Sequence, residues 1–334
     1  MTICNLPLLL PKFKRLAQIV KDISIVKNYL DSQELVAVPT ETVYGLAANG
    51  TSIVALRKIF AAKGRPINNP LILHFKDLKS ITPFVSTLTD EIRELASQFW
   101  PGPLTLLLPK SKNVPDMVTA GSNRVAVRVP NHPLTLELLT TLEYPLAAPS
   151  ANPSGYISPT RPEHVQNQLG DKIKLILDGG ICTSGIESTI LGWENGIPII
   201  YRKGVVTSED IGEVLGKRPQ FKGKSDVFEA PGMMSSHYAP NTKTIITEKV
   251  KDTVGAHEGK KIGLLTFRQP KGLKVEKEIV LTQKGSLEEM AKNLYAAMHE
   301  LDGLGLHIII IEKAPDRGIG KAINDRLFRS SARP

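Results

Sequence analysis

Apolar residues along this chain fall into short runs separated by amphipathic stretches, the rhythm of an α/β protein. Runs at 35–38, 71–75, 104–108, 145–148 and 173–177 are too short for buried helices and read as strands. Residues 124–130 alternate, placing Val125, Val127 and Val129 on one face and Arg124, Ala126 and Arg128 on the other. Further strands are expected at 185–191 and 197–201. Between the strands the period lengthens. An amphipathic helix is expected at 13–29, leading into the first strand. Thr51 or Ser52 can cap a helix that turns Ile53, Val54, Leu56, Ile59 and Phe60 to one face and ends at Gly64. Thr89 starts another with Ile92, Leu95, Ala96 and Phe99 inward, and Thr207 with Asp210 makes a capping box for a third.

Periodicity fades over 217–241, dividing the chain into a first domain at 1–216, a linker at 217–241 and a second domain at 242–334. In the second domain, strands at 261–267, 278–281 and 306–311 alternate with helices at 287–301, capped by Ser286 with Glu289, and 319–329. A small parallel sheet flanked by helices is the expected result.

Composition narrows the class. A chain of 334 residues can hold two domains with cores of their own, and 41% hydrophobic with 22% charged residues is ordinary for a soluble globular protein. No apolar run approaches the roughly 20 residues that span a bilayer, and residues 8–10 are too few for a signal-peptide core. Cys4 and Cys182 lack CxxC spacing, which supports neither a disulfide framework nor a cysteine zinc site and favours a reducing, cytoplasmic setting. The net charge of +9 is spread over both domains without a long basic tract, so it permits nucleotide or nucleic-acid contact without specifying either.

Candidate chemistry gathers at strand ends, where open sheets bind ligands. Thr40, Glu41, Thr42 and Tyr44 follow the first strand directly, and Ser150 and Asn152 follow strand 145–148 in the same way, with Ser158 a few residues on. Lys63 and Arg65 flank Gly64; they suit a helix C-terminus or a polyphosphate, and the strand-end cluster before them with His74 after them favours the polyphosphate. Arg128 is either a solvated strand arginine or, if it faces Thr42, a partner for a carboxylate. Tyr238 sits in a Pro-bounded part of the linker that suits a lid, and deleting 237–240 is expected to spare the fold while stopping the chemistry. Walker, Rossmann, HExxH and GxSxG patterns are missing from the sequence. What remains is a set of hydroxyls, amides and cations with no obvious general base, suited to positioning and charge stabilisation in a nucleotide reaction.

In order along the chain, PTETVYGL, KGRPINNPLILHF, PGPLTLLL, RVAVRVP, PSANPSG, ESTI and YRKG resemble the threonylcarbamoyl-AMP synthase family with its YrdC-like domain. That family's K-x-R and later S-x-N signature is matched by Lys63, Arg65, Ser150 and Asn152. APGMMSSHYAP and the terminal GIGKAINDRLFRSSA resemble the longer, two-domain form, and Lys203 departs from the family by standing where relatives more often have Pro. The resemblance implies an α/β fold: a YrdC-like twisted mixed parallel/antiparallel sheet with helices, plus a smaller Rossmann-like C-terminal domain. It also implies formation of threonylcarbamoyl-AMP and pyrophosphate from L-threonine, bicarbonate or CO2, and ATP, for threonylcarbamoyladenosine modification of tRNA next to the anticodon.

By the same resemblance, Thr42, His74, Arg128, Ala148 and Ser188 hold threonine. Arg65, Asn69, Arg124, Ser150, Ser158, Arg202 and Tyr238 contact ATP, while Lys63 and Asn152 complete the lining. Mg²⁺ arrives with ATP rather than in a protein-only site, the product passes to the threonylcarbamoyl transferase, tRNA is admitted as a direct contact, and no membrane is involved. Two other functions compete. Carbamoyl transfer in hydrogenase maturation would call for acylphosphatase-like and cysteine-rich zinc modules, which this sequence lacks. An RNA-binding module in translation or ribosome assembly gains from the positive charge but loses from 5% aromatic content and the lack of an RNP-like segment.

Overall fold

The computed structural model describes residues 16–223 and 237–332. Eleven strands form the mixed sheet of the first domain. Its middle holds Val36–Val38, Gly45–Asn49, Leu146–Ala147, Ile72–His74, Arg124–Arg128 and Leu104–Pro109, hydrogen-bonded in that spatial order. Ile72–His74 runs parallel to Arg124–Arg128, and the register sets His74 directly opposite Arg128. Leu104–Pro109 then pairs in parallel with Thr189–Glu194, which turns back antiparallel into Ile197–Arg202. This topology brings strand ends from distant parts of the sequence to one crevice.

Most predicted elements form for the expected local reasons. Ser52 caps helix Ile53–Lys63 by accepting from the Ala55 amide, and Gly64 closes it in the left-handed region at φ +60°. Leu56, Ile59 and Phe60 of that helix are buried, but Ile53 and Val54 in its first turn are 41% and 57% exposed, against expectation. Thr89 caps Asp90–Phe99, and Thr207 with Asp210 closes a capping box on Ser208–Leu215.

The predicted helix at 13–29 is a correction, although 13–15 fall outside the described residues. Gln18–Val20 is an edge strand paired in parallel with Leu175–Leu177, and Asp22 then caps a shorter helix, Ile23–Asp31. The β-branched Ile19 and Val20 suit the strand, whose pairing partner lies far away in sequence. Strands Gly45–Asn49 and Thr244–Thr247 also lie outside the predicted set. The former is made largely of small residues, so it offers no apolar run to read.

In the second domain Thr244–Thr247, Ile308–Glu312, Ile262–Thr266 and Lys277–Val280 form an all-parallel sheet. Helix Leu287–Asp302 is capped by Ser286, but the Glu289 carboxylate accepts from Thr282 Oγ1 at 2.5 Å instead of closing the predicted box. The last helix is Gly320–Ser331.

The two domains share a core. Val43, Ile157 and Ile186 of the first pack with Tyr238 and with Leu294, Tyr295 and Met298 of helix Leu287–Asp302. Gly185, at φ +77°, permits this approach, because a Cβ there would lie 2.4 Å from the Ala291 carbonyl oxygen. Within the predicted linker, Gln220–Phe221 joins the first sheet beside Ile197–Arg202. Farther on, Tyr238 and Ala239 are buried in the structure. Excising 237–240 would therefore remove core packing as well as any lid, so a loss of stability is expected to accompany the loss of chemistry.

Candidate active site

The crevice opens where strands end. Thr40 and Thr42 follow Val36–Val38, His74 ends its own strand, Arg128 ends Arg124–Arg128, and Ser150 lies just beyond Leu146–Ala147. Ser188 precedes Thr189–Glu194, and Arg202 ends Ile197–Arg202. Arg65 reaches in from beyond the Gly64 cap, and Tyr238 closes the side toward the second domain.

Arg128 is buried, so the solvated alternative for this strand arginine fails. Its Nε donates to the Gly102 carbonyl at 3.0 Å and Nη1 to Thr42 Oγ1 at 3.1 Å. Nη2 lies 2.6 Å from Glu41 Oε1. A guanidinium has five N–H donors, so both terminal nitrogens keep capacity for a further carboxylate. Beside it, His74 Nδ1 is buried without a hydrogen-bond partner among the described residues. Burial and then the Arg128 charge push the His74 pKa down to about 3, so the ring is neutral near neutral pH.

Ser188 and Arg202 form one unit. Arg202 Nε donates to the Ser188 carbonyl and Nη2 to Ser188 Oγ, both at 3.0 Å, while Ser188 Oγ lies 2.7 Å from Thr105 Oγ1. Arg65 is held by Asn69 and Pro70: Nε donates to the Asn69 carbonyl at 3.1 Å, and Nη2 donates to Asn69 Oδ1 at 2.6 Å and the Pro70 carbonyl at 2.7 Å. Burial and the Arg202 charge push Arg65 down to about 9, against an opposing pull from Tyr238. Burial also lowers Arg202. Cations gathered and desolvated in this way are relieved by an anion.

Nine of the predicted residues line this crevice. Thr42, His74, Arg128, Ala148 and Ser188 do so from the threonine set, and Arg65, Ser150, Arg202 and Tyr238 from the nucleotide set. Others stand behind the wall. Lys63 Nζ donates to the carbonyls of Ser150 and Asn152, pinning the turn that presents Ser150. Its burial, with Arg65 nearby, holds its pKa well below the usual lysine value. Asn152 uses its amide on the Pro153 and Tyr156 carbonyls, at 2.8 and 2.9 Å. Asn69 orients Arg65, and Ser158 donates to Glu187 Oε1 at 2.6 Å. Arg124, at the opposite end of its strand from Arg128, donates to Tyr201 Oη at 2.7 Å and is not among the lining residues.

The structure also brings in groups to which the sequence assigned no separate role. Glu41, one of the strand-end cluster, pairs with Arg128. Glu187, inside ESTI, lines the crevice, and Arg326 of the terminal motif reaches it from the second domain. Burial pushes the Glu187 carboxyl up, but Arg326, Arg202 and the Ser158 hydroxyl together hold it below the usual range. Acidic residues beside predicted cation sites were the available signal; their partners are set by tertiary contacts. His237 also lines the crevice, neutral for the same reason of burial.

Comparison with known proteins shows what the whole chain is similar to. A family model described as "Telomere recombination" (Sua5/YciO/YrdC) matches residues 28–204, and one described as "Threonylcarbamoyl-AMP synthase, C-terminal domain" matches 206–332. The threonylcarbamoyl-AMP synthase of Pyrococcus abyssi is 39% identical over 323 residues, covering 92% of this chain and 94% of its own. That of Bacillus subtilis is 40% identical over 313 residues, covering 90% of each. The crystal structure of P. abyssi Sua5 complexed with L-threonine has 36% sequence identity and a TM-score of 0.88, over 95% of this chain and 97% of that one. Among the described residues no helix is long and apolar enough to cross a membrane.

Proposed function

The chain belongs to the threonylcarbamoyl-AMP synthase family, enzymes of nucleotidyltransferase type, and from that premise we propose that its crevice joins L-threonine, CO2 or bicarbonate, and ATP. The observation that carries this is the convergence on one crevice of three buried arginines, Arg128 and Arg202 from separate strand ends and Arg65 from beyond a helix C-terminus. Arg128 takes the threonine carboxylate, with Thr42, neutral His74, Ser188 and the Ala148 backbone around the rest of the amino acid. Arg65 and Arg202 take the triphosphate, with Ser150 and Tyr238 beside it. Lys63, Asn69, Asn152 and Ser158 act by holding these groups in place.

In this reading the threonine amine attacks CO2, forming an N–C bond and releasing a proton. A carbamate oxygen then attacks the α-phosphorus of ATP, and the bond from that phosphorus to the bridging oxygen breaks. Pyrophosphate leaves with negative charge that Arg65 and Arg202 are placed to meet. Mg²⁺ enters as part of the nucleotide substrate and neutralises phosphate charge. Glu187, which lines the crevice, and Glu41, which stands behind Arg128, are each engaged by an arginine. Carbamates and mixed anhydrides hydrolyse, so the buried crevice protects both intermediate and product. A transferase acting on tRNA beside the anticodon then consumes the adenylate.

Pyrophosphate release tests the proposal. It is expected only when ATP, threonine and bicarbonate are all present. Turnover indifferent to threonine, together with tight RNA binding, would favour the RNA-binding alternative instead.

A further inference from the structure

We propose that Arg326, carried by the last helix of the second domain, is a positioning residue for the nucleotide: it offsets the Glu187 charge and keeps the crevice wall cationic toward the triphosphate. The proposal rests on the functional reading above. It gives the second domain a part in the chemistry although Arg326 is not a lining residue.

The Arg326 side chain has no exposed surface. Its Nε donates to Glu187 Oε2 at 2.8 Å, Nη1 to Asp325 Oδ2 at 2.7 Å and Nη2 to the Lys203 carbonyl at 2.7 Å. Asp325 is shared with Arg329, whose Nε lies 3.0 Å away. The Arg326 guanidinium carbon lies 5.0 Å from the centre of the Tyr238 ring, and Tyr238 stacks on Tyr295 at 5.8 Å. Tyr295 Oη donates to Glu187 Oε2 at 3.0 Å. One buried carboxylate from the first domain is thus gripped by two residues of the second, directly against the crevice.

A domain tether alone would not need an acid there. Glu187 stands in the wall with Ser188 and Arg202, and an uncompensated carboxylate in that wall would repel a polyphosphate. Arg326 removes the repulsion without itself occupying the crevice.

Loss of the guanidinium leaves a pH signature. The groups around Glu187 are Arg326 and Tyr295 from the second domain, Arg202 from its strand, Tyr238 and His237 from 237–240, and the Ser158 hydroxyl. His237 is pushed down to about 3 and both tyrosines are raised, so none of these three titrates near neutrality. Without Arg326 the largest influence opposing burial is gone, and the Glu187 pKa rises. Lowering the pH then shifts Glu187 toward its protonated form and eases the repulsion. The deficit relative to wild type should shrink as pH falls.

Calorimetric MgATP binding without threonine tests this with the full chain and with Arg326→Met, Arg326→Lys and the Glu187→Gln/Arg326→Met double variant. Arg326→Met is expected to bind on the order of tenfold more weakly than wild type at the higher of two pH values and to recover at the lower. Arg326→Lys should keep most of the affinity, and the double variant should stay within about threefold of wild type at both pH values. An Arg326→Met variant that binds like wild type overturns the proposal. So does one that loses affinity equally at both pH values with no rescue in the double variant, the result of a merely structural role. Should Arg326→Met fail to fold, a folded double variant still decides, because weakened binding there shows that offsetting Glu187 is not what Arg326 does. Wild type that fails to bind MgATP removes the functional reading and this proposal together; wild-type binding with a pH-independent variant ratio removes the proposal alone.

Discussion

Replacing Arg128 with alanine is expected to weaken threonine binding on the order of a hundredfold while MgATP affinity stays within about threefold. The buried guanidinium is fixed by Gly102, Thr42 and Glu41 and keeps donors on both terminal nitrogens, so a substrate carboxylate gains a pre-oriented partner at little ordering cost. The substitution has a second effect. It strands the Glu41 carboxylate in the interior, which costs about 3–5 kcal/mol of fold stability when a buried pair loses one member. Glu41→Gln/Arg128→Met separates the two effects, because removing both charges should restore the melting temperature without restoring threonine affinity. Equal losses for threonine and MgATP in the folded double variant would undo the assignment.

Arg65→Ala should show the opposite selectivity, lowering kcat/KM for ATP on the order of a hundredfold while threonine affinity stays within about threefold. Asn69 and Pro70 fix its Nε and Nη2, and Nη1 has no hydrogen bond among the described residues, which suits a phosphate oxygen. Among the described residues no ion-paired carboxylate is left behind here, so the loss of stability is smaller, about 1–3 kcal/mol for the unsatisfied acceptors. Steady-state kinetics with each substrate varied in turn, alongside thermal melts, checks both halves. A threonine defect as large as the ATP defect would contradict the division of the crevice into two subsites.

Much of this architecture was legible in the sequence because its causes are local. The Ser52 cap, the Gly64 stop and the Thr207 capping box need only neighbouring residues. The alternation at 124–128 correctly put Arg124 and Arg128 on the face opposite Val125 and Val127, but alternation cannot say what lies across from that face. His74 and Arg128 meet because two strands align in register, and Thr42 reaches Arg128 across 86 residues of sequence. The edge strand Gln18–Val20 was lost to a helical pattern because its partner, Leu175–Leu177, was invisible from within its own segment. Charge compensation was hidden for the same reason. Glu41, Glu187 and Arg326 each stand within or beside a motif, but their roles follow from contacts that only the assembled domains make.

A crystal structure of the protein with threonine and a non-hydrolysable ATP analogue bound together tests the shared crevice most directly. The threonine carboxylate should lie within hydrogen-bonding distance of Arg128, with the triphosphate against Arg65 and Arg202 in the same crevice. A carboxylate held elsewhere, or a nucleotide seated away from those two arginines, would contradict the account.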